Sequence, residues 1–330
     1  MTGSRTAPGS DERTAPGSDE RTAPGSDERT APGSDERTDA PYTDGGTSAD
    51  TSEGGSLLGT DATTAAEAGQ KAGGLTGVRA LLRREILRFV RRPGNTFLPP
   101  MVTNVLYFAV FGVILGGRID QIAGFDYIVF LLPGLIVLGT ISNAFENASF
   151  SIFHGRWNEY IETVIVSPLS NWMFVAAYVV ASAIRGLLVG AIIATIGLAF
   201  VTVTDRSIAV AEPLYLVAFM LVISTLFAGL GVVGGLWARD FDYLTVMNQF
   251  IVRPLVFFGG VFYSLDVLPT VYRLLSLSNP MVYMVNGVRY GFLGYSDVEP
   301  LLALMVLSGC TVVVIALDVW LFRRGYGIVN

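Results

Sequence analysis

Six apolar runs, each close to the length of a membrane-spanning helix, constrain the fold of this chain more than any other feature. A helix needs roughly 20 apolar residues to cross about 30 Å of hydrocarbon. Hydrophobic residues make up 51% of the sequence and charged residues only 15%. The runs cover residues 97–116, 126–147, 173–201, 213–237, 244–262 and 300–322. The sequence therefore predicts an all-α integral membrane protein with six transmembrane helices.

The arginines are unevenly distributed between the predicted loops, and this predicts an orientation. If the N-terminus lies inside, ten arginines fall on the cytoplasmic side and four outside. The outer four are Arg118, Arg206, Arg273 and Arg289. Because basic residues favour the cytoplasmic side, we expect a multi-pass protein of the cytoplasmic membrane with both termini in the cytoplasm.

The N-terminal stretch has a different composition from the rest of the chain. Residues 5–36 are four perfect copies of RTAPGSDE, and residues 1–70 hold fourteen acids and five arginines. Almost no large apolar side chains are present to offset the entropy of ordering. We predict a disordered acidic tail over residues 1–75 and a membrane domain over residues 76–330. A repeat expansion without function is favoured over a binding tail.

Residues 78–92, VRALLRREILRFVRR, have the pattern of an amphipathic elbow helix before the first span. The predicted apolar face contains Val78, Leu82, Ile86, Phe89 and Val90, and the basic face contains Arg83, Arg84, Arg88 and Arg91. Such a helix lies in the headgroup plane and is held by anionic lipid. Nucleic acid could also bind these arginines, but the adjacent span favours lipid, so no nucleic-acid partner is expected.

Residues 154–172, between the second and third spans, have the pattern of a short amphipathic helix. Apolar residues recur at helical spacing, and proline at position 168 ends the pattern because it lacks an N–H. The apolar face contains Trp157, Tyr160, Ile161, Val164 and Ile165, and the polar face contains Asn158, Glu159, Glu162 and Thr163. Periodicity alone leaves two interpretations: a strut in the lipid interface, or a handle for a soluble partner.

The stretch 263–298 is too polar to cross the membrane and is predicted to be external. Asn279 followed by Pro280 is a favourable helix start, since it combines a capping side chain with proline at the first helical position. Leu268 followed by Pro269 resembles another start. We expect two short re-entrant helices that dip into the outer leaflet, where surrounding protein satisfies their backbone.

Four charged residues are predicted to lie within the spans, where charges are costly and need partners. Arg185 lies about 18 Å along the third span and Arg253 about 15 Å into the fifth, at a rise of about 1.5 Å per residue. Glu146 and Asp318, nearer the inner face, are the candidates to neutralise them through extended side chains. A structural ion pair and a role in the transport path remain equally open.

The residue inventory argues against catalysis by this chain. It contains one lysine, one histidine and one cysteine. No Gly-x-x-x-x-Gly-Lys-Ser/Thr motif for nucleotide phosphates occurs, and too few soft ligands exist for a zinc site. His154 and Cys310 offer no nucleophile-and-base triad. We therefore expect a non-catalytic subunit without a cofactor or metal of its own.

The order of these features resembles the ABC-2 family of ABC-transporter permeases. Four stretches in particular resemble its YadH-like bacterial members: LLPGLIVLGTISNAF, IETVIVSPLS, GGVFYSLDVLP and NPMVYMVNGVRYGFLG. The resemblance covers about residues 81–325. It implies a permease subunit of an exporter that works as a homodimer with a separate ATPase subunit, and ATP would be bound by that partner.

The resemblance also assigns a role to the segment between the second and third spans. Residues 154–170 match the family's coupling helix, which docks on the ATPase. The docking residues implied are Trp157, Glu159, Tyr160, Ile161, Glu162 and Val164. Arg253 departs from the family pattern, in which an uncharged residue is expected there.

Two alternative functions remain open from the residues. One is an ion-coupled secondary transporter in which Arg185, Glu146 and Asp318 are the coupling charges. The other is a membrane-embedded enzyme that modifies lipid. An ATPase gene beside that of this chain would favour the permease. No residue identifies the transported substrate.

Overall fold

The computed structural model describes residues 59–119, 121–159, 169–204 and 210–327, with side chains from residue 74 onward. These residues are mostly helical, and five helices are long and apolar enough to cross a membrane. The one sheet in the described ranges is a hairpin of two-residue strands, β1 and β2, which the all-helical prediction missed. Residues 1–58 of the predicted disordered tail lie outside the described residues, whereas residues 59–75 are helical and belong to the helix Gly59–Val90.

The elements follow one another along the chain with short connections. They are α1 Gly59–Val90, α2 Pro93–Tyr107 and its π-helical continuation Phe108–Leu115, β1 Gln121–Ile122, β2 Phe125–Asp126, α3 Tyr127–Trp157, α4 Asn171–Val203, α5 Pro213–Trp237, α6 Phe241–Val246 and its π-helical continuation Met247–Val252, α7 Arg253–Phe257, the 3₁₀ turn Leu265–Val267, α8 Thr270–Leu277, α9 Pro280–Leu293 and α10 Pro300–Arg323.

Helix α3 is the centre of the bundle. It is buried along nearly its whole length and packs most extensively against α5 and α4. A helix that is apolar on all sides is stable when other helices surround it, and the 131–145 stretch has this character. The helix extends ten residues beyond the predicted end at 147.

The predicted fifth span is not a regular helix of spanning length. The chain from Phe241 to Phe257 forms α6, a π-helical segment and α7 in succession. Pro254 is the second residue after the π-helical segment, and it cannot donate the N–H that the carbonyl four residues earlier would accept. The helix ends at Phe257 rather than 262, and a turn with Gly260 at φ +81° follows. Five candidate spans are therefore seen in the described residues, rather than the predicted six.

Glycines bring α5 and α3 into backbone contact. A Cβ atom on Gly231 would lie 2.5 Å from the carbonyl oxygen of Phe145, and one on Gly235 would lie 2.6 Å from that of Ser149. Both distances are too short for any side chain. The two glycines are four residues apart and share one face of α5, so this close approach extends over a full helical turn.

The face that α1 presents to the bundle differs from the predicted one. Leu81, Glu85 and Phe89 are buried, at spacings of four residues, whereas Val90 is 46% exposed. Apolar periodicity placed Val90 on the same face as Phe89, in the lipid interface, and left out the acid. Burial of Glu85 is tolerated because arginines of the same helix pair with it, and this rotates α1 relative to the predicted orientation.

The segment predicted to be external contains two short helices, as the sequence predicts. Asn279 caps α9, where its side-chain oxygen accepts a hydrogen bond from the backbone N–H of Met281 at 3.0 Å. Gly294 ends that helix in the left-handed conformation, at φ +68°. Helix α9 is buried over most of its length, whereas α8 has no buried residue. Re-entry into the membrane stays a prediction.

Candidate functional site

Three of the four predicted intramembrane charges line one cavity of about 220 Å³. Arg185 reaches it from α4, Glu146 from α3 and Arg253 from the start of α7. The remaining walls come from one side of α2, between Asn95 and Tyr107, and from the middle of α3. The spans thus place two cations and one anion around a single space.

The α2 wall of the cavity is polar because two prolines interrupt its hydrogen bonding. Pro99 and Pro100 lie inside the helix and have no N–H, so the carbonyls of Asn95 and Thr96 lack their usual donors four residues later. All four of these residues line the cavity. The same wall includes Asn104, whose side-chain amide donates to the carbonyl of Pro100 at 2.8 Å.

Arg185 is held by amides rather than by an acid. Its Nη1 donates to Oδ1 of Asn147 at 3.2 Å, and its Nη2 lies 3.5 Å from Oδ1 of Asn143. Its Nε is buried without a hydrogen-bond partner. Glu146 attracts it through space, but no ion pair within 4.0 Å joins the two among the described residues. Arg185 and Glu146 therefore line the same cavity without forming an ion pair.

Asn147 links this cavity to α1. Its Oδ1 also accepts a hydrogen bond from Nη2 of Arg88 at 3.1 Å. Arg88 lies 3.4 Å from the carboxylate of Glu85, to which Arg84 donates at 2.9 Å. Glu85 is 2% exposed. A polar network therefore extends from the elbow helix to Arg185, and the predicted basic face of α1 points partly toward protein.

Asp318 does not join the other charges. It is fully buried on α10, does not line the cavity, and neither carboxylate oxygen has a hydrogen-bond partner. It packs near Gly229 of α5. The expectation that Asp318 neutralises Arg185 or Arg253 is therefore wrong for the described residues, because α10 turns this residue toward α5. The three coupling charges of a secondary transporter are not assembled.

Replacing Asp318 with asparagine is expected to stabilise the protein. The substitution keeps the shape and leaves a side chain that cannot ionise, and an unsatisfied buried polar group costs about 1–3 kcal/mol when it is neutral and more when it is charged. The thermal unfolding midpoint of the purified protein in detergent should rise. The exposed Asp242→Asn is the matched control, with an expected effect within about 0.5 kcal/mol. A lower midpoint for Asp318→Asn would show that the carboxylate has a stabilising partner.

The predicted amphipathic helix at 154–172 does not begin at His154. Residues 154–157 form the last turn of α3, and Glu159 adopts φ +59°, which breaks the helical path. Helix α3 continues through Gly155 to Trp157. Trp157 therefore belongs to α3 and not to a separate helix. The other implied docking residues Tyr160, Ile161, Glu162 and Val164 lie outside the described residues.

The end of α3 is fastened to the end of α5. Nη1 of Arg156 donates to the carbonyl oxygens of Gly235, Leu236 and Ala238 at 2.8–3.0 Å. Carbonyls at a helix C-terminus lack intrahelical partners and attract cations. Beside them, the ring of Trp157 lies 5.7 Å from that of Phe241. A displacement at Trp157 would therefore be transmitted to both α3 and α5.

A fully buried arginine in α9 was not identified from the sequence as a site residue. Nη2 of Arg289 donates to the carbonyl of Gly260 at 2.7 Å, and its Nη1 lies 3.8 Å from Asp297. Its guanidinium carbon lies 3.9 Å from the ring centroid of Phe130 on α3. Burial lowers the pKa of Arg289 to about 10, so the group stays protonated at neutral pH.

Asp297, the ion-pair partner of Arg289, also accepts hydrogen bonds from three neighbouring donors. It accepts hydrogen bonds from the hydroxyl of Ser264 at 3.0 Å, the backbone N–H of Leu265 at 3.3 Å and the hydroxyl of Tyr295 at 2.7 Å. Burial raises the pKa of Tyr295 to about 12, so its hydroxyl remains a donor. These contacts tie the turn after α7, the loop after α9 and the start of α3 together. We call Arg289 and Asp297 the external clamp.

One sequence signal could have identified the clamp. Arg289 lies four residues after Val285 and seven after Val282, so it falls on the apolar face of α9. A cation at such a position requires a buried partner. Counting Arg289 only as an external positive charge overlooked its place in the helical pattern.

Known proteins resemble this chain over most of its length. The profile described as "ABC-2 type transporter" matches residues 76–293. The inner membrane transport permease YadH of Escherichia coli (strain K12) is 38% identical over 253 residues, which are 76% of this chain and 96% of that protein. Nodulation protein J of Rhizobium leguminosarum bv. viciae is 24% identical over 258 residues, which are 77% of this chain and 96% of that protein. The family match begins within α1 and ends with α9.

Proposed function

Because this chain belongs to the ABC-2 type transporter family, we propose that it is the membrane subunit of an ATP-driven exporter. A transport permease with several membrane-spanning helices is the activity class that its relatives carry. ATP would be bound and hydrolysed by a separate ATPase subunit. The relatives do not favour a lipid-modifying enzyme or an ion-coupled transporter.

The fastening of α3 to α5 is the observation that best supports coupling to an ATPase. The proposed docking segment, residues 154–170, begins in the last turn of α3, where Arg156 grips the end of α5. Helix α3 also carries Glu146, which lines the cavity. Glu146 lies eleven residues before Trp157, or about 17 Å along the helix. A push on the docking segment would therefore move a wall of the cavity through one rigid helix.

The remaining features of the proposal follow the family resemblance. We place both termini and the docking segment in the cytoplasm, in agreement with the arginine distribution. Two copies of the chain would form the pathway, each with an ATPase. The outer sides of α2 and α10 are largely exposed and apolar, so they are available to lipid or to the second copy. The transported molecule is approached below through the chemistry of the cavity.

Substitution of the docking segment is expected to uncouple the permease from its ATPase. Amphipathic helices bind grooves through a few apolar anchors, while charges set the orientation. Tyr160→Ala and Glu162→Arg should each abolish stimulation of ATP hydrolysis. The measurement is pull-down of a candidate ATPase subunit by the permease, together with the rate of ATP hydrolysis in the presence of each permease variant.

The control for charge reversal is Glu299→Arg at the exposed start of α10, where Glu299 makes no side-chain capping bond. It should leave ATPase binding unchanged. Size-exclusion profiles of all permease variants alone should match the wild type. If Tyr160→Ala and Glu162→Arg both retain ATPase binding and stimulated hydrolysis, the segment is only a strut in the lipid interface and the docking proposal fails.

A further inference from the structure

We propose that the cavity lined by Arg185, Arg253 and Glu146 binds an anionic group, either a phosphate or a carboxylate. This inference rests on the proposed transport function, because it assigns a chemical class to the molecule that the permease accepts. The same group could come from a lipid headgroup or from a soluble solute.

The charge balance around the cavity favours an anion. Arg185 has no ion pair, and Arg253 has neither an ion pair nor a hydrogen bond with any part of the chain that the structure describes. Glu146 supplies one negative charge at the same cavity. One positive charge is therefore left uncompensated. Uncompensated charge inside a membrane protein is costly, and a bound anion would remove that cost.

The network behind the cavity adds further positive charge. Arg84 and Arg88 share one acid, Glu85. Arg88 is close enough to Arg185 for their repulsion to be felt. Arg88 therefore adds to the positive potential at Arg185, on the wall of the cavity.

Unpartnered polar atoms border the cavity. Ser142 lines it, is 8% exposed, and its hydroxyl has no hydrogen-bond partner. Nε of Arg185 is also a donor without a partner. Asn104, on the α2 wall of the cavity, is 5% exposed, and its Oδ1 is an acceptor without a partner. A phosphate could take both donors, and its own hydroxyl could supply the acceptor.

The size of the cavity suits a charged group rather than a whole solute. Pockets for drug-sized molecules enclose roughly 300–1,000 Å³, whereas this one encloses about 220 Å³. At about 30 Å³ per molecule, that volume corresponds to roughly seven waters. A phosphate or carboxylate with part of its hydration shell fits this space, and any attached chain would extend beyond it.

The test uses the full-length chain in phosphatidylcholine nanodiscs without an ATPase. Decyl phosphate, inorganic phosphate and the uncharged decyl glucoside are each titrated, and the affinity is taken from the concentration dependence of the thermal unfolding midpoint. A parallel series in phosphatidylglycerol nanodiscs tests the lipid as the source. Saturable stabilisation by decyl phosphate but not by decyl glucoside supports the proposal. Equal affinity for inorganic phosphate assigns the site to a soluble anion, and competition by phosphatidylglycerol assigns it to a lipid headgroup.

Charge variants give effects of opposite sign if the cavity binds an anion. Arg253→Gln should lower the affinity for decyl phosphate at least about tenfold, because hydrogen bonds to charged groups are stronger than those between neutral groups. Glu146→Gln should tighten it severalfold by removing repulsion. The exposed Arg118→Gln, on the loop after the α2 continuation, is the matched control and should leave the affinity unchanged.

Three results would overturn the proposal: no saturable stabilisation of the wild type by any anion, equal affinities for Arg253→Gln and Arg118→Gln, or weaker binding by Glu146→Gln. The last would indicate a cationic ligand. Because no ATPase is present, these outcomes are independent of the docking experiment. A permease that binds the anion but is not coupled to an ATPase would contradict the proposed function and leave the cavity assignment intact.

Discussion

Replacing Arg289 with leucine is expected to lower the free energy of unfolding by about 3–5 kcal/mol, the usual cost of removing one partner of a buried ion pair. Asp297 would remain fully buried without its cation, and the carbonyl of Gly260 would lose a donor. The external segment should then separate from the start of α3. The measurement is the thermal unfolding midpoint in detergent, combined with protease accessibility of residues 258–298.

The matched control for this variant is Arg273→Leu. Arg273 lies 3.7 Å from Asp266, but both side chains are about half exposed, and pairs of this kind contribute about 0–1 kcal/mol. The double variant Arg289→Leu/Asp297→Asn should be less destabilised than Arg289→Leu alone, because the stranded charge is gone. Since the pKa of Arg289 is about 10, the clamp should be independent of pH from about 6 to 9. If Arg289→Leu and Arg273→Leu lower the free energy of unfolding equally, the contacts of Arg289 do not act as a clamp.

The double variant Gly231→Ala/Gly235→Ala is expected to lower the free energy of unfolding by roughly 2–6 kcal/mol, at about 1–3 kcal/mol for each overpacked site. Each new methyl group would meet a backbone carbonyl of α3 at 2.5–2.6 Å. Backbone cannot rotate away as a side chain can, so α5 must separate from α3. The readout is the fraction of protein that elutes as a monodisperse peak after heating.

Gly309→Ala is the control for the glycine pair. Gly309 lies within α10, and a Cβ atom there would meet nothing within 4 Å. Alanine in a helix interior is favoured over glycine by roughly 0.5–1 kcal/mol, so this variant should be slightly more stable than the wild type. If the double variant at 231 and 235 behaves like Gly309→Ala, then α5 and α3 are not held together by this close approach.

The spans could be predicted from the sequence wherever a helix depends only on local composition. The run at 213–237 coincides with α5, Pro213–Trp237, because proline starts the helix and apolar residues fill it. The run at 244–262 was predicted to be a span on the same kind of evidence, but its helix is interrupted. Pro254 has an effect on hydrogen bonding that hydropathy does not measure, and the helix ends at Phe257.

The candidate site could be predicted only in part, for a geometric reason. The cost of charge in a membrane identified Arg185, Arg253, Glu146 and Asp318 without any structure. Which of them meet depends on how each helix is rotated about its axis, and a rotation of half a turn separates two residues completely. Packing of α10 against α5 turned Asp318 away from the cavity, and a single sequence contains no signal for that rotation.

The sequence by itself determined the class of protein, the approximate bounds of five spans and the cap of α9 at Asn279, because each follows from the chemistry of neighbouring residues. Only the tertiary structure decided that α3 lies at the centre, that Gly231 and Gly235 allow α5 to approach it, and that Arg289 is buried against Asp297. These features depend on contacts between residues far apart in the chain. The local sequence determines the free-energy cost of exposing or burying each side chain. Tertiary packing determines which distant residue lies close enough to offset that cost.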